Sequence, residues 1–277
     1  MKVTIFYFSG TGNTWLAATN IAKHLNEMGA EAQAISIEHS DCKSADKLQQ
    51  MVAASDKIAV GYPIYGSKAP RVMEEFMHSF PKTEDKKPFS LFTTVAMYSG
   101  DGPVFYKNIF EEKGYVYESG VEFVSNNNFN IPGFPDVLKV GDEKKVARKN
   151  EKLIAKTKKM AEAMINGTHM VQGTGAFAKW TGDVQRKYVD EWIVKINGMM
   201  YVEHSKCIHC GRCQKMCPVD NISTIEGKVT IADGCIACMR CYHFCPTAAI
   251  NITEKSMDTK KWPRYKGPTK DYVKTLL

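Results

Sequence analysis

The chain has 277 residues, 44% of them hydrophobic and 24% charged, and a formal net charge of +7. That is enough for one domain of ordinary size and a smaller one, with the balance of a folded globular protein rather than a disordered or fibrous one. No uncharged apolar run reaches the length of a membrane span, and the opening Met1-Lys2-Val3-Thr4-Ile5-Phe6-Tyr7-Phe8 lacks the apolar core and cleavage site of a secretory signal, so cytoplasm is the expected location.

Residues 1–167 alternate strand and helix. Residues 2–8 read as a buried strand by their apolar run. Residues 13–28 read as a helix with Ala17, Ala18, Ile21, Leu25 and Met28 on one face and Gly29 as its stop. Further strands are predicted at 31–37, 57–62, 89–95 and 115–124, and further helices at 45–54, 69–79, 104–113 and 142–165. The last helix carries Val146, Leu153, Met160, Met164 and Ile165 on its apolar face and many lysines elsewhere. Five strands alternating with helices predict a parallel sheet covered on both faces.

The first chemical signal lies between the first strand and the first helix: Ser9-Gly10-Thr11-Gly12-Asn13-Thr14. Two glycines let backbone amides turn toward one point. Ser9, Thr11 and Thr14 add hydroxyls, Asn13 adds an amide, and the helix N-terminus adds partial positive charge. Such a loop suits a phosphate. With no lysine or arginine of its own, it would hold one by neutral donors alone. No Gly-Lys-Thr follows, so it is not a P-loop, and the third glycine of the dinucleotide fingerprint is missing. A glycine-rich turn with ordinary capping residues is the alternative.

On the strength of that loop, this half resembles flavodoxin. The resemblance implies a doubly wound α/β fold with a five-stranded parallel sheet in the order 2-1-3-4-5, and FMN at the switch point between strands one and three. Two further loops would then wrap the flavin ring. One contributes Pro63, Ile64, Tyr65 and Gly66, the other Ala96, Met97, Tyr98, Ser99, Gly100 and Gly102. Tyr65 and Tyr98 are the expected stacking partners. The second of these loops lacks the acidic cluster usual in short flavodoxins, and the domain is basic where flavodoxins tend to be acidic.

Residues 168–198 read as an ordered connector. Gly173-Thr174-Gly175 suggests a break, and 184–196 suggests a helix with Trp192 and Ile193 on a packing face. Trp180 and Trp192 are expected to be covered, because large aromatics are costly to expose.

Eight of the nine cysteines then fall within residues 207–245. The first run is Cys207-x2-Cys210-x2-Cys213-x3-Cys217-Pro218, and the second is Cys235-x2-Cys238-x2-Cys241-x3-Cys245-Pro246. Every cysteine and proline recurs at an offset of 28, as do Ile222 and Ile250, which marks an internal repeat. Three cysteines two residues apart can wrap one [4Fe–4S] cubane. The fourth, after a longer gap and before proline, turns to the other cluster. One cluster is thus assigned Cys207, Cys210, Cys213 and Cys245, and the other Cys235, Cys238, Cys241 and Cys217. A pair of structural zinc sites is the alternative, but zinc knuckles are C-x2-C pairs separated by a long loop. Between the runs, 222–231 reads as a hairpin turning at Glu226-Gly227. His204, His209 and His243 are expected at the surface, and Cys42 is expected to be a thiol without a role.

The whole chain resembles a fusion family in which a flavodoxin-like domain precedes a small α+β two-cluster ferredoxin domain. The expected parts are residues 1–167, the connector 168–198, the cluster domain 199–256 and a basic tail 257–277. Eight thiolates, two oxidised cluster cores and one flavin phosphate would bring the net charge to about +1, so bulk charge gives little support to nucleic-acid binding. The tail region carries Lys255, Lys260, Lys261, Arg264, Lys266, Lys270 and Lys274 with Trp262, Tyr265 and Tyr272 interleaved. It reads either as a packed segment with its lysines in water or as a docking surface for an acidic redox partner protein. Three functions are open: electron transfer between FMN and the two clusters, reduction of a small substrate at FMN, for which Asp101 is the acid the third loop offers though it reads equally well as a turn aspartate, and redox sensing. A sensor would carry a DNA-binding or dimerising element, and none is legible.

Overall fold

The computed structural model describes residues 1–133 and 139–275. Contacts divide the chain into two units: Met1–Ser9, Asn13–Ser125 and Arg148–Lys187 form the first, and Gly10–Gly12, Asn126–Ala147 and Tyr188–Leu277 the second.

The first unit is built on a parallel sheet of β1 (Lys2–Tyr7), β2 (Glu31–Ser36), β3 (Lys57–Pro63), β4 (Pro88–Val95) and β5 (Val116–Val124), in the order β2-β1-β3-β4-β5. This is the doubly wound order expected, with its reversal at β1. β1, β3 and β4 are buried almost throughout because both faces of the sheet are covered. On one face Val3, Ile5, Phe92 and Phe123 pack with Leu16, Ile21 and Leu25 of α1 (Asn13–Glu27) and with Leu153, Met160 and Met164 of α5 (Glu143–Asn166). On the other, Phe6 and Phe89 meet an aromatic cluster of Phe76 from α3 (Arg71–Ser79), Phe110 from α4 (Lys107–Glu111), Phe80 and Tyr115. Each such ring or branched chain contributes about 1.5–3 kcal/mol on burial. The helix α2 (Ala45–Ala53) is capped by the Ser44 hydroxyl.

The second unit holds the cysteines. β6 (Tyr201–Val202) pairs antiparallel with β9 (Ile250–Asn251), and β7 (Ile222–Ile225) with β8 (Lys228–Ile231). The hairpin turns at Glu226 and Gly227, whose φ values of +49° and +76° are those of a tight primed turn. Its core gathers Ile196, Met200, Ile222, Val229, Tyr242 and Ile250, with six of the cysteines packed against them. The internal repeat is written into the backbone. The left-handed residues His209, Gly211 and Asp220 recur 28 positions later as Ala237, Met239 and Ala248, and the short helix α7 (Arg212–Lys215) recurs as α8 (Arg240–Phe244). α6 (Ala176–Met199) belongs to the first unit as far as Lys187 and to the second from Tyr188. The tail ends in α9 (Lys270–Thr275), and the last two residues of the chain lie outside the described ones.

Several expectations are corrected. Met28 and Ile165 are exposed, each at the C-terminal end of its helix, and Val146 is only half-buried. The helix expected at 104–113 shrinks to α4, because residues 101–107 close single turns from Val104 to Asp101 and from Lys107 to Val104. The connector helix begins at Ala176, not at 184. Trp180 and Trp192 are 62% and 42% exposed, because α6 packs through small and aliphatic residues instead: Ala178, Val189 and Ile196. His204 and His209 are exposed as expected, but His243 is buried. In the tail, Trp262, Tyr265 and Tyr272 are buried and Lys255, Lys260, Lys261 and Lys266 are exposed, as the packed-segment reading expects. The side chains of Lys270 and Lys274 lie outside the described ones.

Neighbouring strands approach closely at Gly61, where an added Cβ would overlap the Phe92 ring. Gly61→Ala is expected to lower unfolding stability by about 1–3 kcal/mol through overpacking. The double variant G61A/F92L should recover part of that loss in urea unfolding, since the two sites share one contact.

Candidate functional site

The glycine-rich loop leaves β1 and enters α1 with its polar groups drawn inward. Ser9, Thr11, Asn13 and Thr14 are all buried. Gly12 has φ +106°, which side-chain-bearing residues rarely adopt, and a Cβ there would lie 2.5 Å from Pro268. The Thr14 hydroxyl pairs with that of Thr94 at the end of β4, at 2.8 Å. Within the second unit, Thr11 Oγ1 accepts from Asn128 Nδ2 at 2.6 Å. The Gly10 carbonyl accepts from Arg240 Nε at 3.0 Å and from the Tyr272 hydroxyl at 3.1 Å. Sequence reasoning missed Asn128, Arg240 and Tyr272 as partners of this loop. The asparagine run Asn126-Asn127-Asn128 just after β5 was a usable signal; Arg240 and Tyr272 had none, lying more than 200 residues away.

The second predicted loop is a tight turn. Tyr65 and Lys68 exchange backbone hydrogen bonds, and Pro63, Ile64, Tyr65 and Gly66 are all partly exposed. The third loop divides in two. Ala96 is half-buried, and Met97 and Tyr98 are exposed, with the Tyr98 ring lying near-parallel to that of Phe177. Ser99, Gly100 and Gly102 are committed to packing. The Ser99 amide and hydroxyl both donate to Glu122. The Ser99 carbonyl accepts from Ser67, and the Gly102 carbonyl accepts from Tyr62. A Cβ on Gly100 would strike the backbone of Gly182 at 2.6 Å. Asp101 is held in two bonds by Arg186, at 2.6 and 3.0 Å, and both side chains are largely buried.

The two cysteine runs lie in the second unit. Cys217, Cys235, Cys238 and Cys241 line one pocket, walled by Met200, Ile222 and Ile231. Among the described residues no three His, Cys, Asp or Glu side chains gather as for a single metal ion; these four thiols surround a space instead. Burial pushes the thiols of Cys213, Cys235 and Cys241 up and that of Cys238 to about 12. A smaller push comes from neighbouring thiols. Cys213 feels Cys245 and Cys210, Cys235 feels Cys217, Cys238 feels Cys235 and Cys217, and Cys241 feels Cys238, Cys235, Cys217 and also Cys213 of the first run. Such thiols ionise on binding metal. Backbone amides already point at three sulfurs: Asn221 N to Cys217 at 3.2 Å, Ala249 N to Cys245 at 3.2 Å, and Ala237 N to Cys235 at 3.3 Å. The first two again differ by 28 positions. Cys207 is half-buried and Cys210 exposed.

His243 sits beside this region as a structural strut. Its Nδ1 accepts from Tyr265 N at 2.9 Å, so the proton is on Nε2, which donates to the Asn128 carbonyl at 2.5 Å. Burial lowers its pKa to about 4, so the ring is neutral at pH 7. Cys42 is buried, and that burial raises its thiol to about 11, as befits an unreactive cysteine.

Residues 199–246 match the model of a 4Fe-4S dicluster domain, and the chain therefore carries an electron-transfer module. The match explains the 28-residue repeat. No curated protein matches the chain. Among solved structures, the two-electron reduced flavodoxin of Megasphaera elsdenii is 24% identical, covering 57% of this chain and 98% of that one, with a TM-score of 0.38. Rubredoxin oxygen:oxidoreductase of Desulfovibrio gigas is 14% identical over 60% of this chain, with a TM-score of 0.40; the match spans 36% of its length. A flavone reductase is 13% identical over 88% of this chain and 83% of its own, with a TM-score of 0.40. Among the described residues no helix is long and apolar enough to cross a membrane.

Removing the Asp101 carboxylate would leave the Arg186 guanidinium without its bidentate partner. Because Asp183 still pairs with Arg186 at 2.7 Å, Asp101→Ala is expected to cost about 1–3 kcal/mol, read as a shift of the denaturation midpoint. Replacing both residues by apolar ones should cost less than the single change.

Proposed function

We propose that this chain, which joins a flavodoxin-like α/β fold to a 4Fe–4S dicluster domain, is an electron-transfer flavo-iron–sulfur protein passing electrons between FMN and two [4Fe–4S] clusters. One cluster takes Cys207, Cys210, Cys213 and Cys245, and the other takes Cys217, Cys235, Cys238 and Cys241. The observation that carries the reading is the placement of Cys217 in the wall of the pocket made by the second run. The left-handed residues at matching positions of both runs support it. At the non-glycine positions this conformation costs of order 1 kcal/mol apiece, a strain tolerated where the surrounding structure demands it.

FMN would bind with its phosphate at Ser9–Thr14. The donor set fits: buried hydroxyls, a glycine turn and a helix N-terminus behind it. When bound, FMN supplies a centre that accepts electrons in ones or twos, which matches one-electron clusters to a two-electron donor. Pro63, Ile64, Tyr65, Gly66 and Ala96 are partly accessible and Met97 and Tyr98 exposed members of the ring-contact set, while Ser99, Gly100 and Gly102 hold the loop in shape. The reductase alternative loses its acid, because Asp101 is engaged by Arg186. The exposed Lys255, Lys260, Lys261 and Lys266 leave a basic surface that would speed encounter with an acidic redox partner.

Anaerobically prepared protein should hold about eight irons and eight sulfides per chain. Cys217→Ala should strip the cluster assigned to the second run and leave about four irons. Loss of the cluster at Cys207, Cys210 and Cys213 in that variant would overturn the crossed assignment. FMN should bind at least about tenfold more tightly than riboflavin, and Thr11→Asp should abolish that preference by repelling the phosphate. Fluorescence titration with both flavins decides this; equal affinities for the unaltered chain would refute the phosphate reading.

A further inference from the structure

We propose that Arg240 and Tyr272 are positioning residues for the phosphate loop, and that Arg240 ties this loop to the pocket lined by Cys217, Cys235, Cys238 and Cys241. The inference rests on the FMN reading above and adds to it the groups that set the loop's geometry and charge.

One peptide plane sets the loop. The Gly10 carbonyl receives two donors, Arg240 Nε and the Tyr272 hydroxyl. A trans peptide carries its C=O and the following N–H on opposite sides, and the described peptides are all trans. Fixing the Gly10 oxygen therefore fixes the Thr11 N–H in the opposite direction. The Thr11 side chain is fixed too, through Asn128. Pro268 and Tyr272 close on Gly12 so tightly that a Cβ there would lie 2.5 Å from one and 2.8 Å from the other. Three successive residues of the loop are thus set by groups far along the chain. Preorganised donors bind an anion better than donors that must be ordered on binding.

Charge points the same way. The loop has no cation of its own. Arg240 is 2% exposed, so its guanidinium charge is weakly screened. In the second run it adjoins Cys241 and is separated from Cys238 by Met239 alone. Its second donor, Nη1, reaches the Met216 carbonyl at 3.0 Å, beside Cys217, and the residue lines the cysteine pocket. One buried cation therefore serves both places. It favours an anion at the loop, and it favours the added electron on the cluster assigned to that pocket.

The test uses the full-length, cluster-loaded protein and three variants, Arg240→Gln, Arg240→Lys and Tyr272→Phe. FMN and riboflavin affinities and the cluster midpoint potentials by EPR titration are measured on each. Arg240→Gln should weaken FMN about tenfold or more while leaving riboflavin unchanged, and should lower the potential of the cluster assigned to the second run. Arg240→Lys keeps the charge and loses the fork that reaches two carbonyls, so it should hold the potential and weaken FMN. Tyr272→Phe should weaken FMN about threefold to tenfold with no change of potential. An unchanged potential in iron-replete Arg240→Gln overturns the link to the cysteine pocket. If Arg240→Gln fails to retain iron, the other two variants decide. Unchanged FMN-over-riboflavin preference in Arg240→Lys and Tyr272→Phe overturns the proposal. A wild-type chain that does not prefer FMN overturns the parent reading as well, so the two failures are told apart.

Discussion

The shared pocket that brings the fourth cysteine of the first run among the cysteines of the second is the constraint on which the second unit depends. Cys217 lines one pocket with Cys235, Cys238 and Cys241, so the wall of that pocket draws on both runs. The hairpin β7–β8 occupies the sequence between the runs and adds Ile222 and Ile231 to the pocket wall. The apolar core here is thin: a few isoleucines, a valine, methionines and Tyr242, with the cysteines making up the rest. A core this thin gains from a covalent or metal staple. Metal-bound thiolates would provide one, and the amides aimed at Cys217, Cys235 and Cys245 favour the ionised sulfur.

A comparable constraint governs the glycine-rich loop. Hydroxyls and a helix N-terminus can hold a phosphate, but in a buried site each donor must already face the right way. The surrounding groups achieve this from behind: Asn128 on the Thr11 hydroxyl, and Arg240 and Tyr272 on the Gly10 carbonyl. His243 braces the same neighbourhood by bonding the Asn128 carbonyl, and burial keeps it uncharged. Arg264 is another cation turned to structural use. Its guanidinium stacks 3.5 Å from the Tyr242 ring centroid and bonds Ile250, Asn251 and Ser256. The basic composition of the tail thus covers two kinds of residue, lysines in water and an arginine that holds the fold.

Local periodicity makes most strands and helices of the first unit legible to within a residue or two, because each apolar run or amphipathic face is a short-range signal. The sheet order is implied by the resemblance that the loop after the first strand carries, and the observed pairing agrees. The 28-residue repeat is legible for the same local reason, and it runs deeper than its cysteines: positions 209, 211 and 220 carry the backbone twist of 237, 239 and 248 although the residue types differ. Long-range partners leave no such trace. Nothing marks Arg240 as a partner of Gly10, or Arg186 as the partner of Asp101, since both pairs form only once the chain has folded. A histidine among full cysteine sets looks surplus in sequence, whereas both ring nitrogens of His243 are used as buried hydrogen-bonding groups.

The exposed aromatic residues at the start of α6 have a geometrical origin. A helix that approaches another backbone closely must present small residues to it. Gly182 and Ala178 do so against Gly100, whose added Cβ would lie 2.6 Å from Gly182 N and 2.7 Å from the Ala178 carbonyl. With the contact face reserved for small side chains, Phe177 and Trp180 are left outward, where they lie against each other and Phe177 lies against Tyr98. The same close approach brings Arg186 onto Asp101, with the guanidinium also 3.9 Å from the Phe105 ring centroid. Side-chain size at the contact therefore decides burial on this part of the helix, and hydrophobicity alone does not. The loop at 99–102 is held by that helix through backbone contact and one ion pair, which is why its serine and glycines are committed to shape while Met97 and Tyr98 face outward.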